Sequence, residues 1–489
     1  MLDLLKRAVD EFVQAGTGAG PDTGGATGLT GAGPGAAGYV EIRYHRRLQT
    51  VINVRNGILK RAEQRTLAGA AVRCLVDGSW GFISTSDVSE EGLRRALAEA
   101  RAAARLAAAL RQEKVILAPA PMGKGEFFSG VPAPAAAGAA GPAEPSLDQK
   151  IRYFMQAEEK LRKFSSLIAG SNVQYTEYRD TKFIVNTDGA AAHLEDCKRS
   201  VHILATALRE GERETGQSNW GVTGAWEDLL AKQDVDQAIA HAADLAIKKL
   251  DAGHPKGGVY TVVLDPGLVG VLAHEAIGHT VEADFVLSGS VVKGKIGQKV
   301  ASDLVTLVDD GTVAGAAGEV LVDDEGVQGR RTVIIENGVL KSYLHNRESA
   351  HLLGAEPHGN ARAFTYRDEP IIRMTNTFIL PGEDRLEDML AGIQDGYYLK
   401  DLGQGGQADA TAEFMFSVAE AYRIKDGQIG EMVKGVTISG QAFDVLQSVD
   451  AVSGELEFKM GAGHCGKWQP AKVDGGGPHI RCRVTVGGR

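Results

Sequence analysis

The chain has 489 residues and a formal net charge of −10, and 62 of its residues are glycine. This length predicts two or three domains, each large enough to bury its own core. The glycines follow no three-residue repeat and the charged fraction is ordinary, which excludes a collagen and a wholly disordered chain. The acidic balance also argues against direct nucleic-acid binding through a basic groove.

The chain contains four scattered cysteines, at Cys74, Cys197, Cys465 and Cys482. They are too few for a disulfide framework and are typical of a reducing compartment. Residues 1–11 predict an amphipathic helix without the apolar core of a signal peptide. The longest apolar stretch, 259–273, is short and is interrupted by Asp265 and Pro266, so we expect no membrane span. We therefore expect a cytoplasmic protein.

An N-terminal α+β domain is predicted over residues 1–116. Residues 16–38 hold ten glycines in 23 positions, which indicates a flexible insert. The strands that follow include a tight hairpin at Asn56-Gly57, and an Ala-rich helix is predicted over 89–110. Residues 117–146 are rich in Ala and Pro and predict a linker.

A middle α+β region is predicted over 147–252, with a first helix at 147–164 and a last helix at about 225–250. Residues 253–489 consist of short β-rich runs separated by glycine turns. The predicted fold class is therefore α+β, with antiparallel strands and long helices in the N-terminal regions. The β-rich C-terminal domain that follows carries one particularly informative helix.

That helix contains the string His274-Glu275-Ala-Ile-Gly-His279. Two histidines four residues apart on a helix can hold one metal ion, with the intervening Glu as general base. Here the spacing is five, which places the two side chains about 140° apart on an ideal α-helix. A widened i→i+5 turn, or a helix that unwinds locally, would bring them together, and Gly278 is a residue that permits such a distortion. The alternative is a pair of partly buried histidines with no ligand.

A zinc hydrolase needs a third protein ligand and an open position for water. Glu282 and Asp284 follow closely, and Cys465 lies far away between glycines in Gly463-His-Cys-Gly466. Cys465 is the strongest of the distant candidates, because glycines let the backbone approach an ion. One thiolate with two imidazoles selects zinc over magnesium or calcium.

Several longer stretches resemble the TldD/PmbA family, specifically its metal-bearing TldD-type subunit. They are HEAIGHTVEADF at 274–285, GKIGQKVASDLVTLVDDGT at 294–312, DDEG at 323–326, RRTVIIENGVLKSYLHNRESA at 330–350, HGNARA at 358–363, RMTNTF at 373–378 and GHCGK at 463–467. The order and spacing agree over about 240–488. The tail departs from the family's pattern after Lys467, where this chain has Trp468.

The resemblance implies a Zn²⁺-dependent metallopeptidase that hydrolyses short or unfolded peptides. It places His274, His279 and Cys465 on the family's metal ligands and Glu275 on its general base. It also implies a dimer, either of two identical chains or with a TldE/PmbA-type subunit. The rival hypothesis is a non-catalytic regulatory or peptide-binding protein of the gyrase-modulator type.

Other polar and glycine positions are weaker candidates. Asn360 and Arg362 lie near predicted strand ends and could contact the main chain of a substrate. Gly405 and Gly406 could let a peptide backbone lie close. The acidic groups at 309–310 and 323–325 are interpreted as turns after strands rather than as calcium ligands.

Overall fold

The computed structural model describes residues 1–17, 38–131, 144–408 and 411–488. Most of the predicted insert at 16–38 and much of the predicted linker at 117–146 therefore lie outside the described residues. No helix in the described ranges combines the length and apolar character needed to cross a membrane.

The first half of the chain forms one layer of strands covered by helices. Its elements are α1 (Leu2–Thr17), β1 (Tyr39–Arg55), β2 (Ile58–Val76), β3 (Ser79–Thr85), α2 (Glu90–Ala108), β4 (Lys124–Ser129), α3 (Leu147–Lys163), β5 (Ile168–Asn186), β6 (Ala191–Arg209), β7 (Glu212–Thr223), α4 (Trp226–Lys232) and α5 (Val235–Asp251). The strands form a single seven-stranded sheet in the order β3-β2-β1-β5-β6, with β4 and β7 both paired to β6.

Strands β1 and β5 join the predicted N-terminal and middle regions. They pair antiparallel without a break from Glu41 opposite Asn186 to Arg55 opposite Asn172. Strand β4, which lies inside the predicted linker, pairs parallel with β6. That part of the linker prediction was wrong, because these residues belong to the sheet.

Two local predictions have different outcomes. Asn56 and Gly57 adopt positive φ angles of 51° and 75°, as a two-residue hairpin turn requires, so the hairpin is confirmed. The single helix predicted at 225–250 is wrong, because the chain breaks at Gln233 and restarts at Asp234. The Asp234 side chain accepts a hydrogen bond from the Gln237 N–H and begins α5 as its N-cap.

The second half of the chain is β-rich, which confirms the predicted α+β class. Its helices are α6 (Pro266–Val271), a π-helix (Leu272–Gly278), a 3₁₀ turn (His279–Val281), α7 (Ala283–Leu287), α8 (Arg347–Leu353), α9 (Leu386–Ala391) and α10 (Ala442–Gln447). Its strands are β8 (Gly258–Leu264), β9 (Leu307–Asp310), β10 (Arg331–Glu336), β11 (Val339–Leu340), β12 (Ala361–Arg362), β13 (Ile371–Ile372), β14 (Asn376–Ile379), β15 (Asp395–Ala408), β16 (Glu413–Lys425), β17 (Gln428–Val433), β18 (Thr437–Gln441), β19 (Ala451–Val452), β20 (Glu457–Phe458), β21 (His464–Cys465), β22 (Ala471–Lys472), β23 (Asp474–Gly477) and β24 (Ile480–Gly487).

Five of these strands close a ring in the order β15-β8-β24-β18-β16, since β16 pairs back to β15. A second sheet runs β11-β10-β9-β14-β23-β20. The helical segment that begins at Pro266 is packed into the hydrophobic core with residues of both sheets, such as Leu307 and Phe416. The helical segment that carries His274 and His279 is therefore buried and is held by both sheets.

Buried ion pairs join the two halves. Asp324 lies 3.1 Å from Arg43 and 2.7 Å from Lys182, and Glu325 lies 2.8 Å from Arg73. The carboxylates come from the C-terminal half and the cations from the N-terminal sheet. These contacts agree with the interpretation of 323–325 as structural acids.

Candidate metal centre

The helical segment of the candidate site begins with a clear sequence signal. The Asp265 side chain accepts a hydrogen bond from the Leu268 N–H, and Pro266 occupies the first turn, where its missing N–H costs nothing. The segment then widens over Leu272–Gly278 into a π-helix, in which the His279 N–H donates to the His274 carbonyl five residues earlier. The predicted i→i+5 turn is confirmed.

Gly278 has a different role from the one predicted. Its φ of −55° lies in the ordinary right-handed helical region, so backbone freedom is not needed there. A Cβ atom at this position would lie only 2.0 Å from Sδ of Met374. Glycine is therefore required by close packing of the widened turn against Met374.

Three side chains meet beside the π-helix. One ligand atom each from His274, His279 and Cys465 lies within 4.8 Å of the others. The two imidazole centroids are 5.4 Å apart, and Sγ of Cys465 is 3.2 Å from Nε2 of His279. Cys465 ends the short strand β21, which pairs with β22. The fold thus gathers residues that are nearly two hundred positions apart in sequence.

The three residues fit a bound metal ion. His274 is completely buried, and neither of its ring nitrogens has a hydrogen-bond partner among the described residues. A buried polar group without a partner is costly, and a cation held at the cluster would give one of these two nitrogens a partner. Two imidazoles and a thiolate are donors that zinc prefers.

The charges of the cluster reinforce one another. Burial raises the pKa of the Cys465 thiol, but the charges of His274 and His279 outweigh it and lower the pKa to about 3. Burial lowers the pKa of His279, but Glu282 and Cys465 outweigh it and raise the pKa to about 10. Cys465 is therefore held as the thiolate, which is the form that binds metals.

Glu282 and Asp284 are not part of the three-residue cluster. Glu282 Oε2 accepts a 2.7 Å hydrogen bond from Nδ1 of His279, on the opposite side of the ring from Cys465. Lys467 lies 3.2 Å from Glu282 and 2.7 Å from Asp284. Sequence reasoning missed Lys467, whose only signal was its position two residues after Cys465.

Glu275 lies at the accessible side of the cluster. Its Oε2 is 3.6 Å from Nε2 of His279, and its side chain is 37% exposed. An apolar wall continues outward, because the Phe285 ring lies 6.3 Å from His279 and 5.9 Å from Trp468. Trp468 is 77% exposed and has a positive φ of 51°. The departure from the family's pattern therefore places a large aromatic surface at the rim.

Asn360 and Arg362 are both buried. The Asn360 amide donates to Asp309 and to the Arg373 carbonyl. The Arg362 guanidinium donates to the carbonyls of Met374 and Lys472. In this structure both residues stabilise neighbouring loops, and Arg362 also lines a cavity. Their predicted contact with a substrate stays a prediction.

Gly405 and Gly406 lie in an irregular stretch of β15 and are not among the three residues of the cluster. The pairing of β15 with β16 shifts register between Leu402 and Gly406. Gly405 has a φ of 114° and open space around its missing side chain. The Gly405 carbonyl accepts a hydrogen bond from Ser417. Their predicted role in substrate binding stays a prediction.

Three sequence models of one family cover most of the chain. The PmbA/TldA metallopeptidase domain 1 matches residues 40–104, the central domain 140–250 and the C-terminal domain 257–488. The chain belongs to the PmbA/TldD metallopeptidase family. Its similarity to TldD-type metalloproteases extends over nearly its whole length.

A metalloprotease of Methanothermobacter thermautotrophicus is 34% identical, over 92% of this chain and 95% of the relative. A metalloprotease TldD homolog of Buchnera aphidicola is 30% identical, over 92% of each chain. The chain is accordingly a TldD-type metallopeptidase.

Two solved structures share the fold. A protein of Thermotoga maritima described as a modulator of a DNA gyrase superposes with a TM-score of 0.73 at 21% identity, over 92% of this chain and 96% of that chain. TldE from Thermococcus kodakarensis gives 0.73 at 19% identity, over 92% and 97%. At these identities the likeness shows the architecture alone.

Proposed function

We propose that this metallopeptidase uses zinc to hydrolyse short or unfolded peptides. His274, His279 and Cys465 would hold the ion, and Glu275 would act as general base. The observation that carries the proposal is the buried cluster of two imidazoles and a thiolate with a solvent-accessible carboxylate beside it. Sequence similarity to metalloproteases supports the reaction class.

Zinc bound at such a site supplies a Lewis acid that polarises the scissile carbonyl and acidifies a water molecule. Glu275 would accept the proton of the attacking water, and the accessibility of its carboxylate beside His279 supports this role. The same carboxyl group then delivers the proton to the leaving amine. The adjacent Phe285 and Trp468 rings would form an apolar border on one side of the reacting groups.

Two charged residues beside the cluster, Glu282 and Lys467, set the orientation and the charge balance of the ligand His279. Glu282 holds the Nδ1–H of His279, so that Nε2 is the nitrogen that faces Cys465. Lys467 balances the buried charge of Glu282. A metal-binding histidine is commonly oriented in this way by a carboxylate on its other nitrogen.

We further propose that the chain works as a dimer, with a second copy or with a TldE-type subunit. Its fold likeness to TldE supports a partner of the same architecture. All four cysteines are free and buried, in keeping with the cytoplasmic location predicted from the sequence.

The rival function is that of a regulator that acts on a partner by contact, without catalysis. A binding protein needs no metal-ligand cluster next to an accessible carboxylate. Measurement of zinc content and peptide cleavage separates the two.

The experiment compares wild type with Glu275→Gln on an unstructured peptide, with Glu356→Gln, an exposed acid, as control. We expect Glu275→Gln to retain zinc and to cleave at least about 100-fold more slowly, the usual contribution of a general base. Wild-type activity in Glu275→Gln would exclude the base role. A wild-type protein that binds no zinc and cleaves nothing would favour the regulator.

A further inference from the structure

The central strands of the N-terminal sheet have two very different faces. On one face, Val173, Tyr175 and Ile203 pack in the core with residues of α3 and α5. On the other face, the alternate residues of β1, β5 and β6 line an open groove of about 800 Å³. The strand alternation thus leaves a polar, helix-free surface.

One end of this groove touches the segment 462–465, which carries Cys465. Ala462 and His464 line it, and His464 immediately precedes Cys465. The groove floor anchors the loop, because the His202 ring lies 3.2 Å from the Ala462 carbonyl and the Tyr178 ring lies 5.4 Å from His464. A chain lying in the groove would therefore reach the loop that carries Cys465.

The other end is basic. Among the described residues that line the groove, those with a charged carboxylate, ammonium or guanidinium group are all cationic, namely Arg55, Lys60, Arg61 and Arg213. Arg61 pairs with Glu63 outside the groove, whereas the other three form no ion pair with any residue that the structure describes. Such a concentration of positive charge is unusual in a chain with a net charge of −10.

Strand pairing gives the distance between the two ends. Arg55 lies opposite Asn172 on β5, six residues along that strand from Tyr178. Six residues of β-strand span about 20 Å. An extended peptide also covers about 20 Å with six residues, so the basic end would meet side chains about six positions from those that lie over Tyr178.

We propose that this groove holds the unfolded substrate chain and that its basic end binds carboxylate side chains of that chain, about 20 Å from the end of the groove that touches the Cys465 loop. The inference rests on the proposed peptidase function and adds a preference for acidic peptides to it. The hydroxyl and amide groups along the groove suit a peptide of any sequence. The exposed cations at its end supply the selectivity by charge complementarity.

The test uses two unstructured peptides that are identical outside one short block of residues, which is an Asp/Glu cluster in one peptide and Asn/Gln in the other. The block is placed at several distances from the scissile bond, on both of its sides. Binding of labelled peptide is measured by fluorescence anisotropy on full-length Glu275→Gln, and kcat/KM is measured on the active protein. Each measurement is repeated with Arg55→Gln, Lys60→Gln and Arg213→Gln combined.

The control variant removes three exposed positive charges elsewhere, as Lys6→Gln, Arg105→Gln and Lys425→Gln combined. We expect the acidic peptide to bind about tenfold more tightly than its amide counterpart, the effect of three exposed ion pairs acting together. The preference should disappear in the groove variant, persist in the control variant and shrink at high salt.

Equal binding of the two peptides by the wild-type groove, or a preference that survives in the groove variant, overturns the inference. A groove variant that changes only the oligomeric state overturns it too, since the face would then be an interface between copies. A binding preference without cleavage supports the groove and rejects the peptidase, whereas cleavage without preference does the reverse.

Discussion

Glu282 accepts a hydrogen bond of 2.7 Å from Nδ1 of His279 while its own side chain is completely buried. A buried carboxylate is retained only where it is paired, and here His279 and Lys467 are its partners. The pairing fixes which ring nitrogen of His279 faces Cys465. The orientation of the His279 ring in the cluster therefore depends on Glu282 and Lys467, which are not themselves part of the cluster.

Replacement Glu282→Gln should weaken zinc binding about 10- to 100-fold, because the ring of His279 loses the charge that orients it. Competition with a chromophoric chelator measures the affinity. Asp284→Asn is the matched control, since Asp284 also pairs with Lys467 but forms no ion pair with His279. Equal affinity in wild type and both variants would remove Glu282 from the positioning role.

Cys465→Ser should lower zinc occupancy, whereas Cys482→Ser should leave it unchanged. Both thiols are buried, but Cys465 is held as a thiolate by two imidazoles, and burial in β24 raises the pKa of Cys482. Elemental analysis of the purified variants measures the occupancy. The ligand assignment fails if all three proteins carry the same amount of metal.

Gly278→Ala should destabilise the protein by about 1–3 kcal/mol, as overpacking of a tight core does. The added methyl group would collide with Met374. In the background of Met374→Ala the same substitution should cost less. The double variant should therefore lose less free energy of unfolding than the two single variants lose in sum. Denaturant unfolding measures each free energy.

Gly466→Ala provides the control for that series. Gly466 is adjacent to Cys465, yet a Cβ there would meet nothing within 4 Å. We expect little change in its free energy of unfolding. Strict additivity of Gly278→Ala and Met374→Ala would contradict the close contact.

Glu177 should make the free energy of unfolding depend on pH in the acidic range. Burial raises the pKa of Glu177, but Lys150 and Arg199 outweigh it and lower the pKa to about 2. An unfolded Glu titrates near about 4.3, so the folded pKa is the lower one. The contribution, on the order of 3 kcal/mol, is present above about pH 4.3 and is lost as pH falls toward 2.

Urea unfolding of wild type and Glu177→Gln between neutral pH and about pH 2 checks this. The variant is expected to be less stable at neutral pH, because Lys150 and Arg199 lose their buried partner. The difference between the two proteins should shrink as pH falls. Parallel loss of stability in both proteins would assign the acid dependence to other groups.

Local features could be predicted from the sequence because their causes are local. The Asn56-Gly57 turn follows from residue type and spacing alone, and the spacing of His274 and His279 indicated the widened turn as one of the arrangements that bring the two side chains together. The break before α5 also had a signal that the prediction overlooked, since Asp234 is a typical helix N-cap.

Other features depend on contacts between distant segments. The pairing of β1 with β5, the burial of Asn360 and the placement of Glu282 behind His279 arise only when the whole chain folds. The alternatives for the third ligand, Glu282, Asp284 and Cys465, look alike in sequence as potential donors. The resemblance to the TldD/PmbA family favours Cys465, and in the structure Cys465 is the candidate that joins His274 and His279 in one cluster.

The π-helix also bears on how such sites arise in evolution. Three residues, Ala276-Ile277-Gly278, stand between Glu275 and His279, and the i→i+5 turn keeps both histidines at one cluster. Loss of a single codon among these three would give the two-residue separation that an ordinary α-helix accommodates. The two kinds of metal-binding string are thus one deletion apart, although a pattern search for the shorter string would pass over this chain.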